Sequence, residues 1–140
     1  IAAMSRAFLH HGRLQRLMND RAAAATGLPH MHYAILLALA TTDLSRMSEL
    51  AEYYNLDISV VSRHASAMET AGHVTRARDE NDGRAVRVCL TTAGGEVLER
   101  ARIMYRSRLA HLPEDWDDDE IDTFVSFLCR LLKSANGVDI

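Results

Sequence analysis

A short segment in the middle of the chain carries side chains that are suited to contact the edges of base pairs. They lie on the outer face of a helix that is predicted to begin near Asp57: Ser59, Val60, Ser62, Arg63 and Ser66. Arginine can donate two hydrogen bonds to guanine O6 and N7, serine can bond phosphates or base edges, and valine can contact a thymine methyl. A solvated helix face has the same composition, so this segment alone leaves both interpretations open.

A cluster of arginines follows in a segment that alternates between polar and apolar residues. Residues 74–78 and 85–90 predict the two strands of a β-hairpin, and four arginines fall in this region: Arg76, Arg78, Arg84 and Arg87. Arg84 adjoins Gly83 at the hairpin tip, from which it could enter a narrow minor groove, where the negative potential is enhanced. Asp82 could hold the Arg84 guanidinium by a bidentate pair. The alternative is an ordinary exposed hairpin whose arginines keep it in solution.

Other residue types that perform chemistry form no recognisable motif. The sequence contains no nucleophile elbow, phosphate-binding loop, zinc signature or paired-carboxylate motif. Ser62 and His64 stand two residues apart on a helix, so their side chains point in different directions and do not form a catalytic pair. We therefore expect that the chain is not an enzyme and that it holds neither a metal nor a cofactor.

The two cysteines and the apolar runs indicate a protein of the cytoplasm. Cys89 and Cys129 make no disulfide framework and are expected to be small packing residues. The longest apolar run, residues 33–40, is too short to cross a bilayer, and no signal peptide is visible. Because the sequence begins at Ile1, a targeting segment upstream is left open.

The elements that would position these side chains are mostly helices. Apolar residues at three- and four-residue spacing predict helices over residues 3–25, 29–40 and 46–54, and a fourth that ends at Gly72. Asn55 tolerates the left-handed backbone that a tight turn requires before the fourth helix. The short third helix, the turn and the fourth helix together have the dimensions of a helix-turn-helix.

Two further helices are predicted after the hairpin. The fifth is capped by Thr91 or Thr92 and is broken by Pro113. The last begins at Asp117, and Glu120 stands three residues on, which is the pattern of a capping box. Both terminal helices carry strong apolar stripes at opposite ends of a small chain, which predicts that they are buried by pairing with a second copy.

The charge balance motivates a second hypothesis. Residues 43–92 contain eight carboxylates and six arginines, and the whole chain has a net charge of −3. Binding to nucleic acid therefore requires that the carboxylates face away from the phosphates. The alternative is a winged-helix protein-interaction scaffold without specific DNA binding, which predicts partner contacts along the hairpin or the fourth helix.

In this order and spacing, residues 46–94 resemble the core of the multiple antibiotic resistance regulator (MarR) family. The pieces that carry the resemblance are Ser48-Glu49-Leu50-Ala51, Val61-Ser62-Arg63, Ala71-Gly72-His73-Val74, Asp82-Gly83-Arg84 and Leu90-Thr91-Thr92-Ala93-Gly94. The flanking helices fit as well, so the likeness covers nearly the whole chain.

The resemblance implies a mainly α fold with a small β-hairpin wing, that is, a winged helix-turn-helix with N- and C-terminal dimerisation helices. Residues 1–28 and 104–140 would form the helical dimerisation region of a homodimer, and residues 29–103 the DNA-binding lobe with a connecting helix. The fourth helix of each copy would read a major groove of a pseudo-palindromic duplex through the five residues named above. Arg84, supported by Asp82, would be the wing contact.

The resemblance also implies regulation, usually repression that is relieved by a small phenolic or other ligand. Such ligands bind between the first two helices and the DNA-binding lobe, where the candidate lining residues are His10, His11, His30 and His32. The alternative, which residue type favours, is that these are surface or helix-end histidines. The branch of the family that senses oxidation has a cysteine in the first helix, and this chain has none there. Asn81 departs from the arginine of many members, which predicts the loss of one phosphate or groove contact.

Overall fold

The computed structural model describes residues 2–110 and 115–136. In this part of the chain it has six helices and one antiparallel strand pair: α1 (Ala2–Thr26), α2 (His30–Thr41), α3 (Met47–Tyr53), α4 (Ile58–Thr70), β1 (Val74–Arg78), β2 (Val86–Leu90), α5 (Thr92–Leu109) and α6 (Asp118–Asn136). The predicted mainly α fold with a small hairpin wing is confirmed. The chain forms two compact units, Ile1–Tyr105 and Arg106–Ile140. No described helix is long and apolar enough to cross a membrane.

The core of the first unit is built from the inner faces of α2, α3, α4 and the hairpin. Its largest fully buried side chains are Ile35, Leu36, Leu50, Val61, Met68, Val74 and Val88. Burial of each such side chain contributes roughly 1.5–3 kcal/mol to folding. Because α4 gives only its inner stripe to this core, its outer face remains available for contacts.

Two left-handed residues set the direction in which α4 enters and leaves the core. Asn55 has φ 50° and turns the chain between α3 and α4, and Gly72 has φ 75° and ends the α4 segment. Both conformations agree with the prediction from residue type. Asp57 occupies the predicted N-cap position of α4, but its side chain makes no cap hydrogen bond.

The hairpin is joined to the helix-turn-helix along one edge. Val74 pairs with Leu90 and Arg78 pairs with Val86. The Val88 backbone N–H also donates to the Ser45 carbonyl at 2.7 Å, just before α3. Val88 is buried, whereas Cys89 is exposed on the other face of the strand, so the prediction that Cys89 packs in the interior is wrong.

The start of α5 is fastened to the turn between α4 and β1. The Thr91 hydroxyl oxygen accepts the Gly94 N–H at 3.0 Å, which makes Thr91 the predicted cap, and the hydroxyl donates to the Gly72 carbonyl at 2.7 Å. The Thr91 N–H donates to the His73 carbonyl at 3.1 Å. The described part of α5 ends at Leu109, and Pro113, which was predicted to break it, lies outside the described residues.

The second unit contains α6, which begins with the predicted capping box. The Glu120 N–H donates to Asp117 Oδ1 at 2.9 Å, and the Asp117 N–H donates to Glu120 Oε2 at 3.0 Å. Trp116 packs edge to face on Phe124, with ring centroids 5.4 Å apart. Large apolar side chains of this unit remain exposed: Leu109, Trp116, Phe124, Val125, Phe127, Leu128 and Leu131.

Candidate nucleic-acid interface

The outer face of α4 presents the five residues that the sequence indicated. Ser59 and Arg63 are exposed, and Val60, Ser62 and Ser66 are half-buried. The Ser66 hydroxyl donates to the Ser62 carbonyl at 2.9 Å, so it keeps only acceptor capacity for a further partner. This face therefore presents a guanidinium, two hydroxyls that make no hydrogen bond within the described residues, and the methyl groups of a valine, all within three helical turns. They belong to Arg63, Ser59, Ser62 and Val60.

The wing and α4 share one shallow groove. It encloses about 340 Å³ and is lined by Met47, Ser62, Arg76, Ala77, Arg78 and Val86. Ser62 belongs to the helix and Arg78 to the strand, so the two sequence-predicted contact regions border a common surface. A nucleic acid that lies along α4 would reach the wing without a gap.

Two of the four wing arginines are held by the protein itself. The Arg76 Nε donates to Glu69 Oε2 at 2.7 Å, and this hydrogen bond lowers the pKa of Glu69. The Arg87 Nε donates to Ser45 Oγ at 2.9 Å and lies 3.8 Å from Asp79 Oδ2.

The remaining arginines of this surface are exposed and make no ion pair with any described residue: Arg63, Arg78 and Arg84. Of the six arginines in residues 43–92, three are therefore available to phosphates. Four of the eight carboxylates in residues 43–92 are likewise engaged inside the lobe: Glu49, Glu69, Asp79 and Asp82.

Asp79, which the sequence interpretation missed as a site residue, is the organising group of the wing. Its side chain is buried, and Oδ2 accepts a hydrogen bond from Arg46 Nε at 2.8 Å. Oδ1 accepts the backbone N–H groups of Asn81 at 2.8 Å and Asp82 at 3.2 Å. The bond from Arg46 is the main reason that the pKa of Asp79 lies below its usual range. One carboxylate thus ties the N-terminus of α3 to the hairpin tip.

The sequence did contain a signal for this role. An aspartate that accepts N–H groups two and three residues later forms an Asx-type turn, and Asp79 stands at that spacing from Asn81 and Asp82. What the sequence could not show is its partner, because Arg46 is 33 residues away. Arg46 is itself placed by Glu49, whose Oε2 accepts the Arg46 N–H at 2.9 Å.

The predicted pairing of Asp82 with the Arg84 guanidinium is not formed. Asp82 Oδ1 instead accepts the Arg84 backbone N–H at 3.1 Å. A carboxylate two residues before an N–H closes a turn more readily than it reaches the end of a long side chain. Asp82 therefore shapes the wing tip and leaves the Arg84 guanidinium available for an external partner.

The four histidines proposed to line a ligand crevice have different surroundings. His30 lines a cavity of about 10 Å³ together with Asn19, Thr26, Leu28, Tyr33, Ala101 and Tyr105. His32 instead contacts His64 of α4, and His10 and His11 are exposed on α1. The structure therefore does not bring the four together around this cavity. Within residues 2–110 and 115–136, no three His, Cys, Asp or Glu side chains converge on a metal-sized position.

Comparison with known proteins agrees with this geometry. The model of the MarR family matches residues 26–85. The chain is 31% identical to the HTH-type transcriptional regulator YxaD of Bacillus subtilis over 116 residues, which cover 82% of this chain and 81% of YxaD. It is 29% identical to the HTH-type transcriptional repressor YetL of Bacillus subtilis over 112 residues, covering 79% of this chain and 67% of YetL.

A solved structure of the same architecture is similar over nearly the full length. A MarR family transcriptional regulator from Streptomyces coelicolor, determined in complex with DNA, has a TM-score of 0.80 at 24% identity, covering 96% of this chain and 87% of its own. The chain belongs to the MarR family of winged helix-turn-helix transcriptional regulators. It is thus a DNA-binding regulator and not an enzyme.

Proposed function

We propose that two copies of this chain bind a pseudo-palindromic operator and repress transcription, and that a small ligand releases them. In each copy α4 occupies a major groove through Ser59, Val60, Ser62, Arg63 and Ser66, and Arg84 of the wing enters the flanking minor groove. Two-fold docking places the half-sites about 10 base pairs apart. Repression is supported by the likeness to YetL, which is named a repressor.

The proposal rests on the difference between the arginines of the lobe that are bonded within the protein and those that are exposed. Arg76 and Arg87 are bonded to protein carboxylate or hydroxyl groups, whereas Arg63, Arg78 and Arg84 are exposed. The available arginines come from α4, from β1 and from the hairpin tip, and Asp79 fixes that tip. A duplex contacted by all three would have the helix in one groove and the wing beside it.

Dimerisation is supported by apolar surface that a single copy leaves uncovered. The α1 side chains Phe8, Leu9, Leu14 and Leu17 are between 41% and 75% exposed, and the α6 side chains Phe124, Val125 and Phe127 between 49% and 60%. An exposed apolar face of this extent marks an interaction surface. We assign residues 1–28 and 104–140 to the dimerisation region and residues 29–103 to the DNA-binding lobe. Sedimentation at micromolar concentration should give a dimer, and a monomer would contradict this assignment.

Release by a ligand is supported by the small cavity beside α2. Asn19 Oδ1 is buried there and has no hydrogen-bond partner among the described residues. The cavity admits about one water, so an aromatic ligand would have to move α1 away from α2. A panel of small phenolic acids should weaken DNA binding, and His30→Ala should abolish that effect while His10→Ala retains it. An unchanged response of His30→Ala would exclude this cavity.

The test of DNA binding is selection of bound fragments from genomic DNA at two salt concentrations. Enrichment of an inverted repeat is expected, with an affinity that falls steeply with salt. Arg84→Ala should weaken binding about five- to 150-fold, which corresponds to a lost groove contact of about 1–3 kcal/mol. Arg100→Ala is the matched control, because Arg100 is an exposed arginine of α5 outside the proposed interface.

Two results would favour the protein-interaction scaffold. The first is the absence of enrichment at low salt from a well-folded protein. The second is binding that responds equally to Arg84→Ala and Arg100→Ala, since a nonspecific electrostatic contact does not distinguish the wing.

A further inference from the structure

A pair of histidine rings lies where α4 packs against α2. The rings of His32 on α2 and His64 on α4 meet edge to face, with centroids 5.3 Å apart and an interplanar angle of 83°. His64 directly follows Arg63, the exposed arginine that α4 contributes to the candidate interface. The contact thus joins the inner scaffold to the helix that carries the proposed base contacts.

The titratable groups that act electrostatically on His32 are all basic. Among the described residues, those that act electrostatically on His32 are His64 and His73, and both disfavour its protonated form. No described carboxylate on the elements that pack against α2, namely α1, α4, α5 and β2, acts on it. Two carboxylates on these elements are engaged elsewhere, because Glu69 of α4 bonds Arg76 and Glu99 of α5 lies 4.0 Å from Arg102. Arg87 of β2 is directed to Ser45 and Asp79.

His73 is the other basic group that acts on His32. His73 lies in the turn between α4 and β1, and its Nδ1 is buried without a hydrogen-bond partner among the described residues. Burial also lowers the pKa of His32, and His64 and His73 lower it further.

We propose that the His32–His64 contact makes the seating of α4 on α2 acid-sensitive, so that acidification loosens the recognition helix and releases DNA. Two imidazolium rings at this separation repel each other, and none of the described carboxylates is among the groups that act on His32. The DNA-release part rests on the proposed function, whereas the loosening of α4 does not.

The direction in which stability and DNA binding change with pH distinguishes this mechanism from a general effect of net charge. The folded-state pKa of His32 lies below its ordinary value of 6.5, so the unfolded chain binds the proton more readily. Stability is fully present above pH 6.5 and is lost as the pH falls through the folded-state pKa. Simple accumulation of positive charge would instead strengthen binding to DNA at low pH.

The experiment compares wild type with His32→Gln, and uses His10→Gln as the matched control because His10 is exposed on α1. Urea unfolding is followed by circular dichroism at pH 8.0 and 5.5, at one fixed protomer concentration. Between pH 8.0 and pH 5.5, we expect the folding equilibrium constant of wild type and of His10→Gln to fall about ten times further than that of His32→Gln. A factor of about ten corresponds to the repulsion between two partly screened charges about 5 Å apart. His64→Gln should lie between wild type and His32→Gln, because it removes the repulsion between the two rings and leaves His32 buried.

The DNA arm uses the fragment enriched in the selection described above. Wild type should bind it more weakly at pH 5.5 than at pH 8.0, and His32→Gln should bind it at least as well at pH 5.5. Equal acid sensitivity of all four proteins in urea would overturn the proposal. If no fragment is enriched at either pH, the DNA-binding function fails, while the urea measurements still decide whether the histidine pair loosens α4.

Discussion

Replacement of Gly94 by alanine should be among the most destabilising single-methyl changes in the first unit. A Cβ at Gly94 would lie 2.0 Å from the His73 carbonyl oxygen and 2.9 Å from both the His73 carbonyl carbon and Leu90 Cδ1. An ordinary carbon contact is about 3.5–4.0 Å, so the first turn of α5 has to move away from the α4–β1 turn by more than about 1 Å. Two of the three obstructing atoms belong to backbone, which cannot rotate aside.

The loss in the free energy of unfolding can be estimated from the contacts that this movement disrupts. Overpacking costs about 1–3 kcal/mol. The shift also stretches the hydrogen bond from the Thr91 N–H to the His73 carbonyl, now 3.1 Å, and that from the Thr91 hydroxyl to the Gly72 carbonyl, now 2.7 Å. Each is worth about 1 kcal/mol. Alanine recovers up to about 1 kcal/mol through its helix propensity. The net loss is about 2–4 kcal/mol.

Gly95 provides the matched control in the same helical turn. A Cβ there meets nothing within 4 Å, so Gly95→Ala should stabilise the protein by up to about 1 kcal/mol. Urea unfolding of both variants and wild type, at equal protomer concentration, should show a lower midpoint for Gly94→Ala by about 1–2 M, given a slope of about 2 kcal/mol/M. A Gly94→Ala midpoint within error of Gly95→Ala would refute the close approach of α5 to the turn.

The other expectations concern the wing and α2. Asp79→Asn should weaken binding to the selected DNA about tenfold with little change in helix content, because it removes the charge that Arg46 contacts. Asp43→Asn, at an exposed position, is the control and should have no effect. Tyr54→Phe should destabilise the lobe by about 1 kcal/mol, since the Tyr54 hydroxyl donates to the Ala34 carbonyl at 2.7 Å, and the exposed Tyr53→Phe should be neutral in the same urea assay. Burial raises the pKa of Tyr54 to about 12, so stability should fall as the pH rises from 10 towards 12. Ultraviolet titration should show a late-ionising component that is lost in Tyr54→Phe.

Residue type and local spacing determined the elements of this protein and most of their ends. The left-handed turns at Asn55 and Gly72, the Thr91 cap and the Asp117–Glu120 capping box depend on residues a few positions apart, so the chain specifies them locally. The outward face of α4 followed from helical periodicity in the same way.

Tertiary structure alone decided which polar side chains are available and which are engaged. Asp79 and Arg46 meet across 33 residues, Arg87 reaches Ser45 across 42, and His32 meets His64 only because α2 packs on α4. A sequence states the charge of each group, but whether that charge is satisfied within the protein depends on distances of a few ångströms between distant segments. The number of arginines that remain free for DNA was therefore a property of the fold, whereas the helix that presents Arg63 was already fixed by the local sequence.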